Sequence, residues 1–447
     1  MRRKRIKQVN RDARMSFRII TGIFLCLVLA GALLLMLPFS SREFEWTSFT
    51  DALFTAISAS CVTGLIVKDT ATYWSEFGQA VIILLIQIGG MGVITIGIAI
   101  MKASGKKISL GHRSLMMNSI SAHRVGGMVS LVKFIIRGSL IIELIGALLF
   151  MTVFCRDFGF KGIWYSVFHS ISAFCNAGFD LMGVREPFSS LTSYSADVII
   201  NTGIMLLIII GGIGFMTWGD VRDYKYHIRR YSMQSKIILV TSFFLILIPA
   251  VYFYFTEYTS LPTGERVLNS LFQSVTTRTA GFNTSDLTKM SDSGITVMII
   301  LMLIGGSPGS TAGGMKTTTF AVLFLSAIAV FGRRNDVNCF GRRISHEAIR
   351  NAGAVLFMYF TLFIAGGIAI STIEHLPILT CLFETSSAVG TVGLTLGITS
   401  GLSVASKAIL MALMFFGRVG GLTLIYAAVP SGEMQQIRYP LEKVTVG

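Results

Sequence analysis

Charge is what this sequence has least of. Only 14% of its 447 residues are Asp, Glu, Lys or Arg, against about 25% in soluble globular chains. A chain this poor in charge is not a string of soluble domains. Histidine and cysteine are also scarce, at six each. Cys26, Cys61, Cys155, Cys175, Cys339 and Cys381 are scattered, with no pair at zinc-ligand spacing and four in or beside apolar segments. That pattern gives neither a disulfide framework nor a metal centre. No Ser/Asp/His or His/Glu cluster surrounds His169, so no catalytic residue is assigned and an enzyme is not expected. A Gly-x-x-x-x-Gly-Lys-Ser/Thr loop is lacking too, as is any soluble stretch with room for a nucleotide domain, which excludes an ATPase.

What the chain has instead is apolar length. It is 53% hydrophobic, with a mean hydropathy of +0.69. Apolar runs recur at 17–39, 77–101, 127–154, 193–218, 235–255, 293–331, 350–372 and 403–429. Each is long enough to cross ~30 Å of hydrocarbon as a helix. The first run follows a basic arm and is too long for the core of a signal peptide. Eight spans put both termini on one side of the membrane. The net charge of +15 reflects loop bias rather than nucleic-acid binding: 27 of the 38 Lys and Arg lie on one set of loops and tails, and eight on the other. The positive-inside rule then makes both termini cytoplasmic, in a multi-pass protein of the plasma membrane.

Between the spans of each pair lie short apolar stretches at 51–60, 164–174, 267–277 and 379–389. About twelve helical residues reach only ~18 Å, so these read as re-entrant helices. Their sequences repeat. Phe54, Phe168, Phe272 and Phe383 each precede a glycine (Gly64, Gly178, Gly281, Gly393) by 10, 10, 9 and 10 residues. The glycines are 114, 103 and 112 residues apart. A second glycine cluster begins 25, 33, 24 and 24 residues later, at Gly89, Gly211, Gly305 and Gly417. The expected fold is all-α: four pseudo-repeats of helix, pore helix with loop, and helix, around a central pore. They run 17–104, 105–222, 223–334 and 335–430, between a basic arm (1–16) and a tail (431–447).

A bare cation in hydrocarbon needs a substitute for its hydration shell, and rings of backbone carbonyls supply one. Aiming successive carbonyls at an axis requires positive φ, which glycine adopts freely. The candidate coordinating segments are Cys61, Val62, Thr63 and Gly64; Cys175, Asn176, Ala177 and Gly178; Arg278, Thr279, Ala280 and Gly281; and Gly390, Thr391, Val392 and Gly393. Potassium would be held by their carbonyls alone. Arg278 must then point behind the strand, where Glu384 is a candidate partner. Asp180, Asp286 and Asp292 are candidates for concentrating cations at the outer mouth, or simply solvated loop residues.

These segments and glycine clusters resemble the Trk/Ktr/HKT superfamily over essentially the whole chain, most nearly the KtrB-type membrane subunit of bacterial Ktr systems. The resemblance implies one key glycine per filter loop, and Gly64 in the first implies potassium over sodium. It also implies an intramembrane gate at Gly305, Gly306, Ser307, Pro308, Gly309, Ser310, Thr311, Ala312, Gly313 and Gly314. By composition alone this segment cannot hold a regular helix and reads either as a mobile loop or as a packing kink. Arg418, a costly intramembrane charge, is expected near that loop, stabilising closure, with Lys316 in a similar role. The resemblance further implies a homodimer and a cytosolic KtrA-type ring binding ATP or ADP. Potassium is the expected substrate, sodium a candidate coupling or activating ion, and no cofactor is expected in the chain itself. A secondary transporter for an organic solute is the rival, since such proteins also use repeats and broken helices.

Overall fold

The computed structural model describes residues 2–92, 95, 128–420, 440 and 442. Most of the run 93–101, the linker up to 127, the run 421–429 and nearly all of the tail lie outside the described residues. Hydrocarbon offers no partner to backbone N–H and C=O groups, so an apolar chain satisfies them within helices. Among the described residues, four helices are long and apolar enough to cross a membrane, over Arg18–Met36, Ser130–Phe158, Met233–Thr256 and His346–Glu374. They belong to α1 (Arg2–Met36), α4 (Met128–Phe158), α8 (Met233–Thr256) and α12 (His346–Glu374). Each is followed by a short helix: α2 (Phe49–Cys61), α5 (Lys161–Phe174), α9 (Thr263–Thr276) and α13 (Ile378–Gly390).

The second member of each pair is shorter than its apolar run. Helix α3 (Glu76–Met91) stops before Gly92, and α14 (Val404–Val419) before Gly420. Helix α6 (Val198–Gly212) turns by 94° into α7 (Phe215–Tyr224) at Gly214. The long third run splits into α10 (Asp292–Leu303) and α11 (Thr317–Phe331). Gly92, Gly214 and Gly420 have φ of 84°, 91° and 86°, a left-handed setting that ends a helix and suits glycine. The interruption of the third run follows from its Gly and Pro content, whereas the helix ends at Gly92, Gly214 and Gly420 were not anticipated, because hydropathy does not register backbone angle.

Helix starts are set locally. Ser48, Ser75, Asp197, Ser232, Ser291, Ser345 and Ser403 each cap a following helix, accepting a backbone N–H from its first turn. Caps also tie elements together: Glu257 accepts from Ser291 and Glu374 accepts from Ser403, the same link in the third and fourth copies. Phe54, Phe168, Phe272 and Phe383 are all fully buried, which explains their recurrence as packing. Leu140, Leu144 and Leu148 on α4, and Phe244, Leu247 and Val251 on α8, are exposed, as lipid-facing surface requires. Beyond the helices, Asn338–Cys339 (β1) and Arg342–Arg343 (β2) form a small antiparallel hairpin.

One ion pair joins the chain's last repeat to its first. Lys407 Nζ on α14 lies 3.3 Å from Asp51 Oδ1 on α2, with both side chains largely shielded. Leaving either charge alone there costs about 1–3 kcal/mol. Asp51→Asn and Lys407→Met are each expected to lower the melting temperature in detergent, and the double variant to fall by less than their sum. Strict additivity would show the pair to be incidental.

Candidate functional site

The four short helices all end where the chain changes hand. Val62, Asn176, Thr279 and Thr391 have φ of 57°, 59°, 67° and 52°. Two residues on, Gly64, Gly178, Gly281 and Gly393 have φ of 93°, 70°, 80° and 96°. A β-branched residue in the left-handed region is uncommon and strained, so three such residues in matching places mark a backbone held by its surroundings. The structure brings the four glycines together. A Cβ added at Gly64 would stand 3.2 Å from the Cα of Gly178; at Gly178, 2.9 Å from that of Gly281; at Gly281, 3.1 Å from that of Gly393; and at Gly393, 2.9 Å from that of Gly64. The ring therefore closes on itself. Each added Cβ would also meet a carbonyl oxygen, of Ala177, Ala280, Val392 and Thr63 in turn, so the residue before each glycine turns its carbonyl toward the neighbouring strand. The hydroxyls of Thr63, Thr279 and Thr391 are buried with no hydrogen-bond partner within the protein among the described residues.

A support the sequence reading passed over lies one turn back. Ser58 and Ser387 hydroxyls accept from Gly64 N and Gly393 N at 3.1 and 3.0 Å. Ser172 and Thr276 hydroxyls donate to Phe179 O and Phe282 O at 2.7 and 2.6 Å. The signal was available: a Ser or Thr stands six residues before the glycine in three copies and five in the shortened third. Ser387→Ala leaves a buried N–H unpaired, at about 1–3 kcal/mol. We expect a lower melting temperature, and an unchanged one would remove the hydroxyl from the support.

The second glycine clusters serve close approach. A Cβ at Gly89, Gly211 or Gly417 would strike the carbonyl of Ser60, Phe174 or Val389, near the end of a short helix. Below them, residues 304–316 run between α10 and α11 as a buried irregular loop. Its polar groups bond to three repeats. Gly305 N donates to Met315 O at 2.7 Å, Ser307 N to Gly212 O at 3.0 Å, and Gly314 N to Gly417 O at 3.2 Å. Thr311 donates its hydroxyl to Phe174 O at 3.1 Å. Phe215 N reaches Gly309 O at 2.7 Å. A Cβ at Gly313 would meet the Thr391 hydroxyl, which puts the loop directly against the segment that leads to Gly393.

Both outlying cations sit at this loop. Lys316 Nζ donates to Ala312 O and Gly313 O at 2.9 and 3.1 Å. Arg418, in the last turn of α14, donates to Thr311 O, to Gly89 O and, at 3.1 Å, to Gly90 O. It thereby clips the loop of the third repeat to the inner helix of the first. Arg278 does point away from the glycines, donating to Ser242 O on α8 at 3.2 Å. It does not pair with Glu384. That carboxylate accepts from Thr395, from Leu396 N at 3.1 Å and from Thr399 at 2.8 Å, since hydroxyls in its own repeat lie nearer than the guanidinium of another. His169 is buried between Tyr165 O at 2.7 Å and Leu181 N at 3.3 Å, a packing role.

Above the ring lies a cavity of about 280 Å³ lined by the four glycines, Asp180 and Asp286. Asp292 is instead in the first turn of α10. The Thr288 hydroxyl holds the Asp286 carboxyl below its ordinary range, so it stays ionised at neutral pH.

Lipid-facing helices around a four-fold ring of backbone oxygens, with acids at its mouth, define a membrane transport protein for cations. The description "TrkH: Cation transport protein" matches residues 2–437. The potassium/sodium uptake protein NtpJ of Enterococcus hirae is 38% identical over 442 residues, spanning 96% of this chain and 97% of that protein. The Ktr system potassium uptake protein B of Bacillus subtilis is 40% identical over 433 residues, 95% of each. The potassium transporter TrkH from Vibrio parahaemolyticus shares the fold, with a TM-score of 0.74 at 19% identity over 94% of this chain and 85% of that one. The chain belongs to the TrkH cation transport family, and it is not an enzyme.

Proposed function

We propose that this protein takes up potassium through a gated pore whose selectivity filter is the ring at Gly64, Gly178, Gly281 and Gly393. The closed circuit of contacts among those glycines carries the reading. Carbonyls of each strand replace the hydration of a monovalent cation, and the C-terminal ends of α2, α5, α9 and α13 add partial negative charge around it. Asp286 in the outer cavity pairs with Lys289 at 3.2 Å and burial pushes the Asp180 carboxyl up to about 7, so the cavity adds only a weak attraction for cations. The loop 305–314, held by Arg418 and Lys316, is the gate: it lies beneath the filter and its retraction opens the path.

Sodium enters as a coupling or activating ion by analogy with the potassium/sodium uptake protein of Enterococcus. Control by a cytosolic KtrA-type nucleotide-binding ring, and pairing of two pores, rest on the family likeness and on the lack of a phosphate loop here. Reconstituted protein is expected to take up rubidium, with inhibition by potassium and none by amino acids or sugars. Solute-inhibited uptake would favour an organic-solute transporter instead.

A further inference from the structure

On the membrane face opposite the filter cavity, a cavity of about 470 Å³ opens between the linker that follows α7 and the β1–β2 hairpin. The opposite location follows from α8: Tyr258, just past its end, bonds Ser285 beside the filter cavity, while its start faces this second one. Arg229, Arg230, Lys236 and Arg342 line it, with Tyr231 and Phe340. Acids on the adjoining segments are engaged elsewhere. Asp220 accepts from Ser232, Asp223 pairs with Arg222 and Asp336 with Arg343. Among the described residues no acceptor pairs with the guanidinium groups of Arg229, Arg230 or Arg342, and no carboxylate lines the cavity. Lys236 is positioned by its bond to Arg229 O at 2.7 Å and lies 5.9 Å from the Phe340 ring. Tyr231 bonds Lys225 O at 2.5 Å, fixing the linker.

Three planar, unengaged guanidinium groups and an ammonium suit a phosphate, which guanidinium binds through paired N–H donors. What selects a lipid over a free anion is the surface below. Lys236 stands in the first turns of a membrane-crossing helix. From it a stripe of exposed apolar side chains descends at helical spacing: Val240, Phe244, Leu247 and Val251. An acyl chain would lie on that stripe, with the aromatics at interfacial depth.

We propose that this cavity binds the phosphate headgroup of an anionic phospholipid, with an acyl chain along α8. The headgroup would bridge the linker before α8 to the hairpin after α11, the helix that leads out of the loop 304–316. Lipid there would restrain the far end of that helix.

The test uses the full-length protein in detergent, with phosphatidylglycerol, phosphatidylcholine or inorganic phosphate added, read by native mass spectrometry and melting temperature. Phosphatidylglycerol alone is expected to be retained and to stabilise. The Arg230→Gln/Arg342→Gln variant should bind it about tenfold more weakly or worse, since two charge-assisted bonds are lost. Arg333→Gln/Arg334→Gln, an equal loss of charge outside the cavity, should stay within about twofold of wild type. If the double variant does not fold, Arg342→Gln alone, on the exposed hairpin, should weaken binding in the same direction. Equal retention of phosphatidylcholine, equal loss in the control variant, or full stabilisation by inorganic phosphate would each overturn the lipid site.

Discussion

Replacing Gly64 with serine is expected to abolish most of the preference for potassium over sodium while leaving the protein folded. Two costs act at this position. A side chain at φ of 93° is strained, by roughly 1–3 kcal/mol. The new Cβ also meets Ala177 O, and Gly178 Cα at 3.2 Å, so backbone has to move. Backbone is what would coordinate the ion. Every 1.4 kcal/mol lost from potassium relative to sodium is a factor of ten, so selectivity should fall by about one to two orders of magnitude. Rubidium uptake competed by sodium measures it. Gly159→Ser is the control: it carries a comparable φ of 60° but meets nothing within 4 Å, and should leave selectivity unchanged. A Gly64→Ser protein that still selects as wild type would end the assignment of the ring as filter.

Neutralising Arg418 is expected to raise rubidium flux. Its guanidinium holds Thr311 O of the loop on one side and Gly89 O and Gly90 O of α3 on the other. Hydrogen bonds to charged groups contribute about 1.5–3 kcal/mol each. Only the bond to Thr311 O reaches the loop; if the retracted loop lacks it, its loss shifts the open–closed balance by about 10- to 150-fold. Removing a positive charge from beneath a cation pathway acts in the same direction. Arg418→Gln proteoliposomes should therefore take up rubidium faster without any regulatory subunit, at a lowered melting temperature that still leaves the protein folded. Unchanged flux would leave Arg418 as a structural tie alone, and a collapsed melting temperature would call for the Thr311→Gly variant, which loosens the loop through its hydroxyl bond to Phe174 O.

Much of this was legible in one dimension. Phe54, Gly64 and their three counterparts stand in register because a re-entrant turn needs a buried anchor and a residue free to adopt positive φ, and both demands write directly to residue type. The glycine-rich segment 305–314 was legible for the same reason. The strained residues at 62, 279 and 391 were not, since valine and threonine carry no mark of a left-handed backbone imposed by packing; only Asn176 is of a type that favours it. Nor were the helix ends at Gly92, Gly214 and Gly420 visible to hydropathy, which stays high through glycine.

The sequence by itself determined a helical membrane protein with four copies of one unit and a glycine in each loop, because apolar length and backbone freedom are properties of single residues and their spacing. Only the tertiary structure decided that the four glycines meet in cyclic order, that Arg418 clips the loop to α3, and that Glu384 is satisfied within its own repeat and leaves Arg278 to α8. Those outcomes depend on which distant groups come within hydrogen-bond reach, and reach is a property of the packed molecule.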